Sequence, residues 1–205
     1  MFAYLKGRNP ENLSSPAAAA CVRRLGSNRG GAAGHGPLPG RMEQDPGLAT
    51  HTVYRPKDLG ALRGQKLSII AWGNGACVNA RNRFQNFLTE IASHGFLAVA
   101  IGPIVDDKNP SKTPPRSPAA EKAGSKGPAT MSSQFIDAID WAIAENGRKG
   151  SQYYGKLDPS KIAVMGQSCG GVQTLAVATD PRIKLLGIWN SGLLKPDFNL
   201  AAKLS

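Results

Sequence analysis

The sequence predicts an α/β protein built on a doubly wound, mostly parallel sheet. Three observations lead there. Apolar runs of strand length recur at 66–72, 96–101, 161–165 and 183–189, the pattern of parallel strands covered on both faces. Segments with apolar residues at helical spacing separate them. Each run also ends at or near glycine, where a crossover chain can leave the sheet.

Taken in order, residues 1–47 show no periodicity, and runs such as Gly26-Ser27-Asn28-Arg29-Gly30-Gly31 cannot sustain an element. They read as a flexible basic extension, and 48–205 as the α/β domain. A short β-like run, His51-Thr52-Val53-Tyr54, opens the domain. The first full strand is 66–72, stopped by Gly73-Asn74-Gly75. Phe84, Phe87, Leu88, Ile91 and Ala92 then recur at helical spacing, which predicts an amphipathic helix over 82–93. Gly95 ends it. The strand 96–101 follows, closed by Gly102-Pro103.

From 102 to 130 six prolines lie among Ser, Lys and Gly. This is a long loop after the C-terminal end of a strand, the functional rim of an open α/β sheet. A helix capped by Ser132 or Ser133 carries Phe135, Ile136, Ile139 and Ile143 to Asn146-Gly147. The strand 161–165 runs into Gly166-Gln167-Ser168-Cys169-Gly170-Gly171, and a helix-like segment follows over 171–179. A last strand, 183–189, ends in Asn190-Ser191-Gly192, and the remaining residues are too few for another βα unit.

Composition narrows the function classes. The apolar fraction of 41% in 205 residues suffices for a buried core. No run approaches a membrane span, and no signal peptide is visible; the compartment stays open, with the cytoplasm as the default expectation and export the alternative. The formal net charge is +11, of which +5 falls in residues 1–41. Those basic residues are scattered among Gly, Ala, Pro and Ser rather than interleaved with aromatics. A solvated tail is therefore favoured over nucleic-acid binding. Cys21, Cys77 and Cys169 form no metal-ligand spacing, and no metal or cofactor is expected. Cys77 and Cys169 fall at the same end of the sheet; they read as two small buried residues, with a disulfide as the alternative.

The chemistry concentrates at Ser168. Gly-x-Ser-x-Gly between strand and helix raises the serine on a strained turn, and the glycines let strand and helix pass close together. A serine hydroxyl also needs oxyanion donors and a general base. The N–H of Cys169, opening the helix, supplies one donor. The loop at Asn74 and Gly75 can supply the second; a phosphate-binding reading of that loop lacks both Gly-x-Gly-x-x-Gly and a P-loop Lys-Ser/Thr. The base is not evident. His94 ends a helix that begins beside the oxyanion loop, His51 precedes the first short strand, and His35 lies in the extension. Each reads as solvated or structural. Asp197, just past the last strand, could reach the rim, whereas Asp158 and Asp180 flank connections at the opposite end.

Three stretches carry a resemblance: 71–77 (Ala-Trp-Gly-Asn-Gly-Ala-Cys), 87–96 (Phe-Leu-Thr-Glu-Ile-Ala-Ser-His-Gly-Phe) and 165–171 (Met-Gly-Gln-Ser-Cys-Gly-Gly). With Ile188-Trp189-Asn190-Ser191-Gly192 they resemble the α/β-hydrolase superfamily, in its esterase-like branch akin to dienelactone hydrolases, cutinase-like polyester hydrolases and chlorophyllases. The resemblance spans roughly 50–195. It implies hydrolysis of a small-molecule carboxylic ester through an acyl-enzyme, with Ser168 as nucleophile and an oxyanion hole from the backbone at Asn74 and Gly75 and from Cys169. In such hydrolases the acid and then the histidine follow later strands. No histidine follows Ser168, so the chain reads as truncated, with weak or absent turnover. The alternative is a non-catalytic binding protein on the same fold. Missing strands would leave an exposed sheet edge open to association.

Overall fold

In the computed structural model, residues 2–5, 33–79, 84–104 and 129–193 are described. Seven strands form one mixed sheet: β1 (Phe2–Leu5), β2 (Gly40–Glu43), β3 (His51–Pro56), β4 (Leu67–Gly73), β5 (Phe96–Ile101), β6 (Leu157–Gln167) and β7 (Ile183–Trp189). Their spatial order is β1-β7-β6-β4-β5-β3-β2. The four central strands β7, β6, β4 and β5 are parallel, while β1, β3 and β2 add antiparallel neighbours at the edges.

Alternation explains how unbroken apolar runs serve two faces. Leu67, Ile69 and Ala71 of β4 and Leu97, Val99 and Ile101 of β5 pack into one core with Phe135, Ala138 and Ile139. The intervening Ile70, Trp72, Ala98 and Ala100 pack into another with Leu88 and Ala92. The period of two sends successive side chains to opposite faces. Helix α1 (Gln85–Ser93) thus covers one face and α2 (Ser133–Gly147) the other, with α3 (Cys169–Ala176) following the serine turn. The fold is α/β and doubly wound, as the sequence indicates.

Several expectations need correction. Residues 33–47 are not a flexible tail. The Gly36 N–H donates to Ser93 Oγ at 2.8 Å, and Arg41, Met42 and Glu43 pair with β3. This segment lacks apolar periodicity because backbone and polar contacts hold it together with only isolated apolar anchors such as Leu38 and Met42. Phe2–Leu5 pairs antiparallel with β7, so the β7 edge expected to be exposed carries a neighbour. The rest of the expected extension, 1 and 6–32, lies outside the described residues, as do loop residues 105–128, Asp197 and the start of the helix expected at 82. Strand β6 begins four residues before the apolar run, because Leu157 and Asp158 pair with β4 ahead of a register shift. Helix α3 starts two residues earlier than expected, directly after the serine.

Candidate active site

Parallel strands place their C-terminal ends along one rim, and three of them build the site. Strand β4 delivers Asn74 and Gly75, β6 delivers Ser168, and β7 delivers Asn190 and Ser191. Ser168 is exposed and has φ 50° and ψ −114°, a region that costs a non-glycine residue on the order of 1–3 kcal/mol. The surroundings fix it there. Its N–H donates to Trp189 O at 2.9 Å, and its carbonyl accepts from the Val172 N–H at 3.1 Å and from Ser191 Oγ at 2.7 Å. A strand end, a helix start and a neighbouring loop thus hold one backbone unit.

The flanking glycines are required by contact. A Cβ on Gly166 would run into the Gly170 carbonyl, and one on Gly170 would run into the Gly73 carbonyl. The Gly170 N–H meanwhile donates to Asn74 O at 3.1 Å. The serine turn and the β4 loop are in direct backbone contact, which brings Ser168, Cys169, Asn74 and Gly75 together as the sequence suggests.

Asn74 contributes backbone rather than side chain. It is buried; its Nδ2 donates to Ile101 O at 2.8 Å and to Val78 O at 3.3 Å, and its Oδ1 accepts from Trp72 Nε1 at 3.2 Å. The side chain therefore ties the loop to β4 and β5 and sets its path past the serine. Trp72 stands at the centre of an aromatic group with Phe84, Phe87 and Trp189, at centroid distances of 4.9, 5.3 and 6.4 Å. This group packs the sheet face beneath the rim.

Cys77 and Cys169 are bridged, with Cα atoms 5.3 Å apart. The reading as two separate buried residues is overturned. Spacing along the chain, 92 residues, gave no sign of it; their shared end of the sheet was the usable signal. Sequence reasoning also missed Thr130, Gln173 and Ser191. Thr130 Oγ1 donates to Cys77 O at 3.2 Å, and Gln173 Nε2 donates to Thr130 O at 2.7 Å. The residues that end the long loop are thereby tied to α3 and to the loop after β4.

Among the described residues no histidine is hydrogen-bonded to Ser168. His51 does lie at the serine end of the sheet, since it pairs with Ile101, but β4 and β5 separate its strand from β6. It is fully buried, with Nε2 2.9 Å from Gln134 O and Nδ1 2.9 Å from Thr50 Oγ1. A carbonyl only accepts, so Nε2 carries the proton and Nδ1 accepts from the Thr50 hydroxyl. Burial drives the His51 pKa down to about 4, the Gln134 bond opposing only in part. His94 and His35 both bind Glu90 on α1, at 2.9 Å each. Asp158 accepts from Ser160 and pairs with Lys161 at 2.9 Å. Asp180 caps its turn through Arg182.

No group of three or more His, Cys, Asp or Glu among the described residues could hold a metal ion. No helix among them is long and apolar enough to cross a membrane.

No curated protein matches the chain. A family model described as PET hydrolase-like matches residues 39–190, well over half of the sequence. That span takes in β2 through β7, the Asn74–Gly75 loop and the serine turn. The fold is that of the α/β-hydrolases, and the chain belongs to the PET hydrolase-like family.

Proposed function

We propose that the chain is a serine hydrolase of carboxylic esters. Ser168 Oγ attacks the ester carbonyl, the alcohol leaves, and water resolves the acyl-enzyme. The Cys169 N–H and the backbone N–H groups of the Asn74–Gly75 loop receive the developing oxyanion. The observation that carries this reading is the over-determined, positive-φ Ser168 at a strand-to-helix turn, in backbone contact with the loop after β4. Membership in a hydrolase family supports the same reaction class.

The reading carries an expected rate. With no histidine bonded to Ser168 among the described residues, proton removal falls to solvent on this reading. What remains is the binding and oxyanion contribution, on the order of 10³–10⁴ over water. Two measurements test this on the full chain. A fluorophosphonate probe is expected to label Ser168 slowly and to leave Ser168→Ala unlabelled. Hydrolysis of p-nitrophenyl acetate is expected to be weak and to vanish in the same variant. Efficient Ser168-dependent turnover would overturn the missing-base argument. The commitment of His35, His51 and His94 to other partners also favours a second reading, a binding protein that keeps the fold without the chemistry; absence of any Ser168 labelling would select it.

A further inference from the structure

Past Gly73 the pairing of β4 with β6 ends, and the oxyanion loop must hold its place without a strand ladder. Its backbone is demanding. Ala76 and Cys77 have φ of 53° and 49°, conformations that relax unless the surroundings enforce them. Ser168 has three hydrogen bonds to enforce its own. The tip of the loop has the Val78 N–H to Gly75 O bond at 3.2 Å and the Thr130 hydroxyl on Cys77 O; the first is internal to the loop, and the second reaches the helix after the serine only indirectly, through Gln173 Nε2 on Thr130 O. Among the described residues two connections tie it to the serine turn directly: the Gly170 N–H on Asn74 O, and the covalent bond from Cys77 to Cys169. Cys169 is the residue whose N–H forms one wall of the oxyanion hole, and Asn74–Gly75 is the other wall.

We propose that the Cys77–Cys169 disulfide is the positioning element of the oxyanion hole, so that the reactivity of Ser168 depends on the oxidation state of this pair. The inference rests on Ser168 being the nucleophile. Preorganised donors act only when they are aimed in advance at the place where charge develops. With the bridge intact, the two walls cannot separate. Reduction by a dithiol breaks the S–S bond. Two electrons and two protons pass to the cysteines as two thiols, and the dithiol becomes its own disulfide. Cys169 is half-buried whereas Cys77 is buried, so the Cys169 side is where a reductant would approach the bridge. After reduction the direct ties between the walls fall, among the described residues, to the Gly170 N–H on Asn74 O, with the Thr130–Gln173 contact as an indirect one, and the loop can leave its positive-φ conformation.

The test is the rate at which a fluorophosphonate labels Ser168 in the full chain. In that reaction Ser168 Oγ bonds to phosphorus, fluoride leaves, and the hydroxyl proton passes to solvent. Oxidised chain is compared with chain reduced by dithiothreitol and desalted anaerobically, at a temperature where both give the same far-UV circular dichroism. The limiting labelling rate is expected to fall tenfold or more on reduction, with little change in the probe concentration giving half the limiting rate. Re-oxidation is expected to restore it. Cys77→Ser is expected to start at the low rate and to ignore the dithiol. Equal rates in oxidised and reduced chain would overturn the positioning role while leaving Ser168 as nucleophile. No labelling of oxidised chain would overturn the nucleophile and the proposal with it. Loss of the native spectrum both on reduction and in Cys77→Ser would also overturn it, because the bridge would then hold the fold rather than the site.

Discussion

A histidine at the serine end of a hydrolase sheet invites assignment as the base, and His51 shows why position alone does not license it. Three strand spacings, about 14 Å in all, lie between its strand and β6. Both ring nitrogens are also committed to Thr50 and Gln134. Its role is to join the start of β3 to the first turn of α2. That role has a pH signature. The native pKa of about 4 lies below the ordinary histidine value of 6.5, so the unfolded chain takes up the proton first as pH falls. Stability is therefore full above pH 6.5 and declines from there to about 4, by about 3 kcal/mol in all. Urea midpoints measured from about pH 7.5 to 5, above the carboxylate range, are expected to fall steadily. They should fall less in His51→Asn. A midpoint independent of pH across that window would show that His51 is not buried neutral.

At the scale of elements, the serine turn depends on how closely α3 approaches β4. A methyl group on Gly170 would meet the Gly73 carbonyl and lie 2.9 Å from Gly73 Cα. Gly170→Ala is thus expected to cost about 1–3 kcal/mol by overpacking and to slow probe labelling by moving the Cys169 N–H. Gly147, ending α2, has open space where a methyl group would go and no positive φ; Gly147→Ala is expected to be neutral or stabilising by roughly 0.5–1 kcal/mol. Equal destabilisation of the two variants by chemical denaturation would contradict the contact argument. These elements also show what the sequence can reveal. The β4, β5, β6 and β7 runs and the glycines of the turn are legible because burial on two faces and close backbone approach each demand particular residue types. Strand β2 is not, because Gly40–Glu43 pairs only with β3 among the described strands and brings a single apolar side chain, Met42, against the core. The Cys77–Cys169 bond escaped because pairing depends on a separation in space that the 92-residue spacing does not encode.

Across the whole molecule, the least legible segment is also a structural tie. Glu43 of β2 accepts from Arg55 Nε at 2.7 Å and Nη2 at 3.0 Å and from the Tyr153 hydroxyl at 2.8 Å. Arg55 is buried, and its remaining N–H groups go to Gln152 Oε1, Pro56 O and Lys57 O. All five guanidinium donors are used, and the set joins the chain near residue 43, the end of β3 and the turns before β6. Burial works against ionising Glu43, but the Arg55 guanidinium and the Tyr153 hydroxyl outweigh it and hold the carboxyl below its usual range. Burial, reinforced by the Glu43 carboxylate, raises the Tyr153 hydroxyl, so it stays protonated as a donor. Breaking such a pair from one side leaves a buried charge without its counter-ion. Glu43→Ala is therefore expected to cost about 3–5 kcal/mol. Arg41→Ala is the control: its guanidinium is 3.1 Å from the same carboxylate, but its side chain is 46% exposed, and it is expected to cost less than about 1 kcal/mol. Chemical denaturation of both variants against the parent chain, read at constant m, separates the cases. A Glu43→Ala loss no greater than that of Arg41→Ala would show that solvent reaches Arg55 when its partner is gone, and that residues near the N-terminal side of the sheet lean on the fold without supporting it.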